Sequence, residues 1–308
     1  MPTDVFYWVL NMSISGSIAG LVLLLVRKIK KIPRRIVYAL WIVPFLRFAL
    51  PFSLSYEYSV AELLKKATHR IVTVYPRDWM FIDEIPYTYM NSVGAAVDYF
   101  PITYKTNSLR VFFECASAVW YVMAALVIMV VAVAYVIAMR NVRKSTYVKE
   151  GIYVSEAVKS PAVFGIIRSR IIFPAGTDVE TERFALLHER VHIRRLDNLW
   201  RLLGVLVCAV HFFNPLVWVC LRCFLVDMEQ SADEAVIRAL DEGERAEYAR
   251  SLVDHAERGT VFSSAFGGAA LRGRIENIIS YREMTKLSTV CVIVFAVLLA
   301  IVLITNSI

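Results

Sequence analysis

Long runs that are almost free of charge alternate with polar segments along this chain, and they predict where it crosses a membrane. Four of these runs, at 5–26, 36–54, 115–139 and 287–308, are close to the length of about 20 helical residues that a hydrocarbon core requires. Arg47 is the one charge in the second run, where a long side chain can reach the interface or pair inside a bundle. The pattern predicts a mainly α-helical membrane protein with four transmembrane helices.

The charges between these runs predict their orientation. The loop 27–35 has six basic residues and no acidic residue, so the positive-inside rule assigns it to the cytoplasm. The N-terminus then faces outward, and Arg140, Arg143 and Lys144 mark a return to the cytoplasm after the third run. We therefore predict a multi-pass protein of the plasma membrane. Its predicted parts are two spans with a cytoplasmic basic loop (1–54), an extracellular loop (55–110), a third span (111–139), a cytoplasmic domain (140–286) and a fourth span (287–308).

Composition agrees with a membrane protein and limits the function classes. Hydrophobic residues make up 58% of the 308 residues and charged residues 20%, whereas soluble domains are about 25% charged. The net charge of +7 could suggest nucleic-acid binding. Much of the basic excess lies beside the spans, however, where orientation and anionic lipid explain it. We expect contact with membrane lipid and no direct nucleic-acid partner.

One polar segment of the cytoplasmic part carries candidate chemistry. His188 and His192 are four residues apart, so a helix places both imidazoles on one face, where they can bind one metal ion beside Glu189. A zinc ion with three protein ligands lowers the pKa of a bound water to about 7, and a carboxylate can then take its proton during attack on a carbonyl. The pattern predicts a hydrolase with one Zn²⁺ per chain and Glu189 as the general base. The alternative is an amphipathic helix with two unrelated histidines.

The third protein ligand must lie further along the chain, and Glu229 is the best candidate. The HExxHxxGxxH class is excluded, because Arg195 and Asn198 occupy the places of its glycine and third histidine. Asp233 lies one helical turn after Glu229, where it can accept the free ring N–H of a ligating histidine. This is the ExxxD pattern of the glutamate-zincins (gluzincins). The alternative is a solvated acidic helix face. Further candidates by residue type are Asp197, His211 and Asp227.

A fifth uncharged run, 202–221, also has the length of a span. A full crossing would place the histidine helix and Glu229 on opposite sides of the membrane, too far apart to bind one ion. Pro215 removes a backbone donor and restricts the residue before it. We therefore expect two half-helices, roughly 196–212 and 215–239, in a bent hairpin. The hairpin would either pack against the spans or dip into the membrane from the cytoplasmic side.

Two features concern the substrate. Short apolar runs at 151–154, 162–166 and 170–173 predict a small sheet before the histidine helix, giving the catalytic domain an α+β character. An edge of this sheet would either hold a peptide as an added strand or be purely structural. His211 would either donate to the oxyanion that develops in the transition state or be buried between helices, and we favour the second reading.

Several of these segments together resemble a known family. They are SPAVFG at 160–165, IIFP at 171–174, HERVH at 188–192, HFFNP at 211–215 and EQSADEAV at 229–236. They are similar to the membrane metallopeptidase module of the BlaR/MecR-type β-lactam receptors. The resemblance implies that His188, His192 and Glu229 bind the metal, that Glu189 is the catalytic base and that Asp233 stands on the family's acidic position. It also implies a cytoplasmic peptidase that cleaves a transcriptional repressor, and cleavage of the receptor itself is reported for the family.

The chain departs from that family in two places. Ala232 stands where the family commonly has cysteine, a small-for-small change that leaves the metal chemistry intact. The chain also ends just after the fourth predicted span, where the receptors continue into an external penicillin-binding domain. We therefore do not expect direct β-lactam sensing by acylation. A signal would enter through the external loop, through the spans or from a separate sensor protein.

The leading hypothesis is an integral membrane zinc endopeptidase of the HExxH and ExxxD type with a cytoplasmic active site and a protein substrate. A membrane signalling or scaffold protein with a purely structural zinc site is the alternative. Gly16 and Gly20 on the first span form a GxxxG pattern that permits close helix packing, either within the bundle or in a homodimer.

Overall fold

The structure, a computed structural model, describes residues 2–29, 31–50, 107–166, 168–179, 182–258 and 267–304. Most of the predicted extracellular loop, 55–106, lies outside the described residues. The described residues are mostly helical, with one small sheet. The helices are α1 (Pro2–Val26), α2 (Arg34–Leu40), α3 (Ile42–Ala49), α4 (Asn107–Val142), α5 (Arg183–Arg195), α6 (Asp197–Val210), α7 (Pro215–Ile237), α8 (Glu244–Arg258), α9 (Gly267–Ile279) and α10 (Lys286–Ile304). The strands are β1 (Thr146–Lys149), β2 (Ile152–Ser155), β3 (Ala162–Phe164) and β4 (Arg170–Pro174).

Three helices among the described residues are long and apolar enough to cross a membrane, and they lie at Val5–Val26, Val111–Val142 and Lys286–Ile304. The second predicted span, 36–54, is described only to residue 50, and there it forms two short helices that meet at Trp41. Pro44 explains this break, because it lacks an N–H and its ring clashes with the carbonyl four residues earlier, at Leu40. Proline is tolerated in the first turn of a helix, which is its place in α3. A hydropathy pattern predicts only how apolar a segment is, so it did not predict the helix break that Pro44 causes.

Arg47 of α3 is buried, and its Nε donates a hydrogen bond of 2.8 Å to the carbonyl of Leu303, at the end of α10. The last carbonyls of a helix have no partner within that helix. The one charge of the second apolar run therefore pairs inside the bundle.

Small residues on α1 allow two neighbouring helices to approach closely. A Cβ added at Gly16 would lie 2.5 Å from the ring of Phe48 on α3, and one added at Gly20 would lie 2.6 Å from the Sγ of Cys220 on α7. Both distances are shorter than van der Waals contact, so a side chain at either position would push a neighbour away. The GxxxG pattern thus serves packing within this chain.

The run 202–221 is not one helix, because α6 ends at Val210 and α7 begins at Pro215. Asn214 caps α7, since its Oδ1 accepts a 2.9 Å hydrogen bond from the N–H of Leu216. Its Nδ2 donates to the hydroxyls of Ser13 and Ser17 at 2.7 Å each. The turn of this hairpin is therefore fixed against the middle of α1.

Helix α7 lies at the centre of the described structure, and its acidic side is buried rather than solvated. Asp227 is wholly buried, and Arg27 Nε donates to its two oxygens at 2.7 and 2.9 Å. Further along α7, Glu234 accepts the backbone N–H of Arg35 at 3.1 Å. The basic loop that follows α1 therefore docks on the acidic side of α7.

The predicted sheet is present and supports α5. Its strand order is β1-β2-β4-β3, with β2 and β4 parallel and the other two pairs antiparallel. The buried side chains of Ile152, Ile171 and Phe173 form an apolar cluster with Ala185 and Leu186 of α5. This cluster fixes one side of the helix that carries the two histidines.

Candidate metal centre

Helix α5 presents His188 and His192 on one buried face, as their four-residue spacing requires. The helix ends at Arg195, and the next residue, Leu196, adopts a left-handed conformation with φ 55°. This conformation costs about 1–2 kcal/mol for a residue with a side chain. The turn lets α6 begin at Asp197, whose Oδ2 lies 2.6 Å from the Nδ1 of His192. A strained residue therefore stands where the chain folds back onto the histidine.

The two imidazoles meet the carboxylate of Glu229, which arrives on α7. His188 Nε2 lies 3.0 Å from His192 Nε2 and 3.3 Å from Glu229 Oε2, and His192 Nε2 lies 3.7 Å from Glu229 Oε1. Zinc bonds of about 2.0–2.1 Å separate the corners of a tetrahedron by about 3.3–3.4 Å. The three observed separations bracket that value. The donor set therefore fits three corners of one tetrahedral ion.

The other ring nitrogen of each histidine faces a carboxylate. Nδ1 of His188 lies 3.2 Å from Asp233 Oδ1 and 3.0 Å from the hydroxyl of Tyr248, which itself donates to Asp233 Oδ1 at 2.6 Å. Nδ1 of His192 faces Asp197, which also accepts the hydroxyl of Tyr38 at 2.8 Å. Such partners hold the ring N–H at Nδ1 and leave both Nε2 atoms to a metal.

Two arginines contact the same carboxylates. Arg274 of α9 binds both oxygens of Asp233, at 2.7 and 2.8 Å, and its Nη1 lies 3.6 Å from Glu229. Arg201 of α6 donates to Glu229 Oε1 at 2.6 Å. The two guanidinium groups fix the orientation of both carboxylates. In the sequence neither arginine stands in a recognisable pattern with the histidines.

The charges of this cluster shift its pKa values strongly. Burial lowers the pKa of His188, but hydrogen bonds to Asp233 and Glu229 outweigh it and raise the value to about 9. Burial opposes ionisation of Glu229, yet hydrogen bonds from both histidines and the charge of Arg274 hold its pKa well below the usual range. The pKa of Asp233 is lowered against the effect of burial by Arg274. The two carboxylates therefore favour a proton on His188, and a metal ion that takes Nε2 of His188 as a ligand has to displace that proton.

Glu189 follows the first histidine on α5 and is partly buried. Burial raises its pKa, an effect that the neighbouring charges of His188 and His192 oppose. A general base works best with a pKa near the operating pH, so an upward shift suits a carboxylate that must take a proton and return it.

The structure does not bring His211 into this cluster. Its Nε2 donates to the carbonyl of Phe48 at 2.9 Å, and its ring is wholly buried. Helix α6 has 14 residues between Asp197 and Val210, so His211 lies about 20 Å along the helix from the carboxylate that contacts His192. This placement agrees with the buried helix-packing reading.

Helix α6 also limits the role of β3 as a docking edge. The side-chain amide of Asn198 donates to the carbonyls of Val163 and Gly165 at 2.9 and 3.0 Å. These two residues are two positions apart, so their carbonyls point to the same side of the strand. A peptide added along this edge would have to displace Asn198, which favours the structural reading of β3.

A family model and several known proteins match parts of this chain in sequence. A family model described as BlaR1 peptidase M56 matches residues 7–281. The regulatory protein BlaR1 of Bacillus licheniformis is 35% identical over 102 residues, which are 32% of this chain and 17% of that protein. BlaR1 of Staphylococcus aureus is 26% identical over 161 residues, or 48% and 28% of the two chains. The methicillin resistance mecR1 protein of Staphylococcus epidermidis is 28% identical over 104 residues, or 32% and 18%. The matched part spans less than a third of each relative.

Proposed function

The chain belongs to the BlaR1 peptidase M56 family, and from this membership we propose that it is an integral membrane zinc endopeptidase that cleaves a regulatory protein on the cytoplasmic side. The observation that carries the proposal is the triangle of His188, His192 and Glu229, whose edges fit a tetrahedral ion. We assign these three as ligands and Asp233 as the residue that orients His188. Repressor-like proteins are the expected substrates, by analogy with the regulatory relatives.

Residues of this chain transfer the protons of the reaction and orient the histidines that bind the metal. When bound, zinc supplies a Lewis acid that polarises the scissile carbonyl and acidifies a water. Glu189 takes the proton of the attacking water at its carboxylate and returns it to the leaving amine. Asp233 and Asp197 hold the rings of His188 and His192 in place.

The contact between α7 and the loop after α1 supports a cytoplasmic site. Arg27 follows the first span directly and binds Asp227, which is two residues from Glu229. The metal centre therefore shares a membrane face with the basic loop 27–35, and the positive-inside rule assigns that face to the cytoplasm. We propose four spans, with the segment formed by α2 and α3 as the second and the N-terminus outside.

The contacts of the hairpin formed by α6 and α7 support its partial insertion into the membrane from the cytoplasmic face. Its turn contacts Ser13 and Ser17 through Asn214, and these serines lie about 15–21 Å along α1 from Arg27. That is about half to two-thirds of a hydrocarbon core of about 30 Å. Irregular backbone at this depth must be satisfied within the protein. Trp120 meets this need in part, because it donates to the carbonyl of Val210 at 2.9 Å.

An apolar groove lies beside the metal centre and suits a substrate side chain. The groove has a volume of about 270 Å³ and is lined by Val131, Tyr135, Val163, Leu202 and Val205, with Arg201 between it and Glu229. We propose that it binds an apolar side chain next to the scissile bond.

The test compares cells that express the parent chain, Glu189→Gln or, as a matched control, Glu247→Gln, an exposed glutamate of α8. N-terminal proteomics should detect cytosolic cleavage products with the parent and the control and none with Glu189→Gln, although all three purified proteins bind one zinc. Cuts within 259–286 would add self-cleavage. Equal cleavage by Glu189→Gln would refute the hydrolase assignment, and zinc binding without cleavage by any chain would favour the structural-zinc alternative.

A further inference from the structure

A second cavity, beside which several charged side chains lie, is found behind the metal centre, between α2, α5 and α7. Its volume is about 230 Å³, and a cavity needs only about 10–15 Å³ by the same measure to hold a water molecule. The side chains that line it are chiefly polar, namely Arg35, Tyr38, Arg195, Ser231, Glu234 and Arg238. We call it the arginine cavity.

The arginine cavity carries an excess of positive charge. Three guanidinium groups line it against one carboxylate, that of Glu234. Glu234 is already bound by Arg35, whose Nε lies 3.5 Å from Oε1 and whose backbone N–H donates to Oε2. Asp197 lies 3.4 Å from Arg195 on the metal side. Even if Asp197 is counted, one positive charge remains without an acidic partner.

The guanidinium groups retain donor capacity. Arg195 donates to the hydroxyl of Ser231 at 3.1 Å and stacks on the ring of Tyr38, with 4.3 Å from its Cζ to the ring centroid. Its Nη2 has no hydrogen-bond partner among the described residues. Arg238 is exposed and makes no ion pair within the described part of the chain. An anion with several oxygens can accept from both.

The position of the arginine cavity indicates which class of anion it binds. Arg35 belongs to the loop and helix that directly follow the cytoplasmic end of the first span, so the cavity lies near the inner membrane surface. Phosphate groups occur there both as lipid headgroups and as free anions, and guanidinium forks match phosphate oxygens in geometry and charge. We propose that the arginine cavity is a binding site for a phosphate group.

The site also adjoins the metal centre. Tyr38 and Arg195 line the cavity, and both contact Asp197, which holds the ring of His192. A bound phosphate that draws Arg195 toward the cavity weakens its contact with Asp197. Occupancy of the cavity therefore changes the surroundings of one metal ligand, and this consequence rests on the proposed function. Binding itself requires neither zinc nor turnover.

The test uses the full chain in nanodiscs with two sources of phosphate. In one arm the lipid is a neutral galactolipid, which carries no phosphate, and inorganic phosphate is titrated by calorimetry. In the other arm phosphatidic acid replaces part of the lipid, and native mass spectrometry counts the anionic lipids that stay bound. The variants are Arg238→Gln, Glu234→Gln and the matched control Arg194→Gln, which neutralises an exposed neighbour outside the cavity.

Binding in either arm should weaken about two- to fivefold in Arg238→Gln, the loss expected for one exposed charge. Glu234→Gln should strengthen binding, because it removes the one acid and keeps an acceptor for the N–H of Arg35. Arg194→Gln should bind as the parent does. Binding of inorganic phosphate identifies a soluble ligand, and binding of phosphatidic acid alone identifies a lipid headgroup. No binding in either arm, or equal weakening in Arg194→Gln and Arg238→Gln, overturns the proposal.

Discussion

Asp197→Asn tests whether the carboxylate behind His192 controls metal binding. Asp197 is wholly buried and receives His192 Nδ1 at 2.6 Å and the hydroxyl of Tyr38 at 2.8 Å. Asparagine has the same size and keeps one acceptor oxygen, but it removes the negative charge. The ring of His192 then becomes less basic and less firmly held.

The size of the effect follows from these contacts. Loss of a carboxylate that orients a metal-binding histidine lowers metal affinity about 10- to 100-fold, which corresponds to about 1.4–2.7 kcal/mol. Tyr38→Phe removes only the hydroxyl that orients Asp197. It should therefore lower zinc affinity by less than about tenfold, since one net hydrogen bond contributes about 0.5–1.5 kcal/mol.

The assay is a competition between the purified protein and a chromophoric chelator for zinc, with circular dichroism to verify the fold. Asp241→Asn, in the exposed turn after α7, is the matched control and should bind zinc as the parent does. If Asp197→Asn stays folded and binds zinc as tightly as Asp241→Asn, Asp197 does not orient His192. A normal affinity in Asp197→Asn combined with a weakened one in Tyr38→Phe would assign the effect to Tyr38 itself.

Three further changes probe the surroundings of the site. Arg274→Met should destabilise the fold by up to about 3 kcal/mol in chemical denaturation, because the buried carboxylate of Asp233 loses the guanidinium that binds both its oxygens and keeps only Tyr248 and His188. An unchanged midpoint would show that the pair contributes nothing. Val205→Trp should fill the apolar groove and reduce cleavage while the zinc content stays at one per chain, whereas unchanged cleavage would exclude the groove as a substrate site. Gly20→Leu should lower the thermal midpoint through its clash with Cys220, and Gly243→Ala, where an added Cβ meets nothing within 4 Å, should not.

Local periodicity predicted the parts of the site that lie on one helix. The spacing of His188 and His192, and that of Glu229 and Asp233, places each pair on a single helical face whatever the rest of the chain does. Pro215 predicted the break in the apolar run in the same way, since a proline acts within one turn. These predictions needed no tertiary information.

Contacts between distant segments were not predictable in this way. Arg274 meets Asp233 across 41 positions, and Tyr248 meets His188 across 60. Tyr38 comes from the apolar run that we predicted as a span, where its hydroxyl gave no reason to expect a partner at Asp197. Pairing of this kind depends on how α2, α8 and α9 pack around α7, and a single sequence does not encode it in a recognisable spacing.

The basic loop 27–35 has two roles, since its positive charges orient the first span and Arg27 binds Asp227 on α7. One pair of substitutions can separate the two roles. Arg27→Ala and Lys28→Ala each remove one positive charge from the loop, so they weaken the positive-inside signal equally. Lys28 is exposed, whereas Arg27 binds both oxygens of the wholly buried Asp227. Trp41 Nε1 at 2.9 Å and Arg34 Nη1 at 3.6 Å still contact Asp227 when Arg27 is removed. Arg27→Ala should therefore cost up to about 3 kcal/mol of stability and weaken zinc binding at Glu229, while Lys28→Ala should cost less than about 0.5 kcal/mol. Reporter fusions to each loop should show the same topology for both variants. If the two lose stability equally, the loop acts only as a topology signal, and the ion pair does not link the first span to the metal centre.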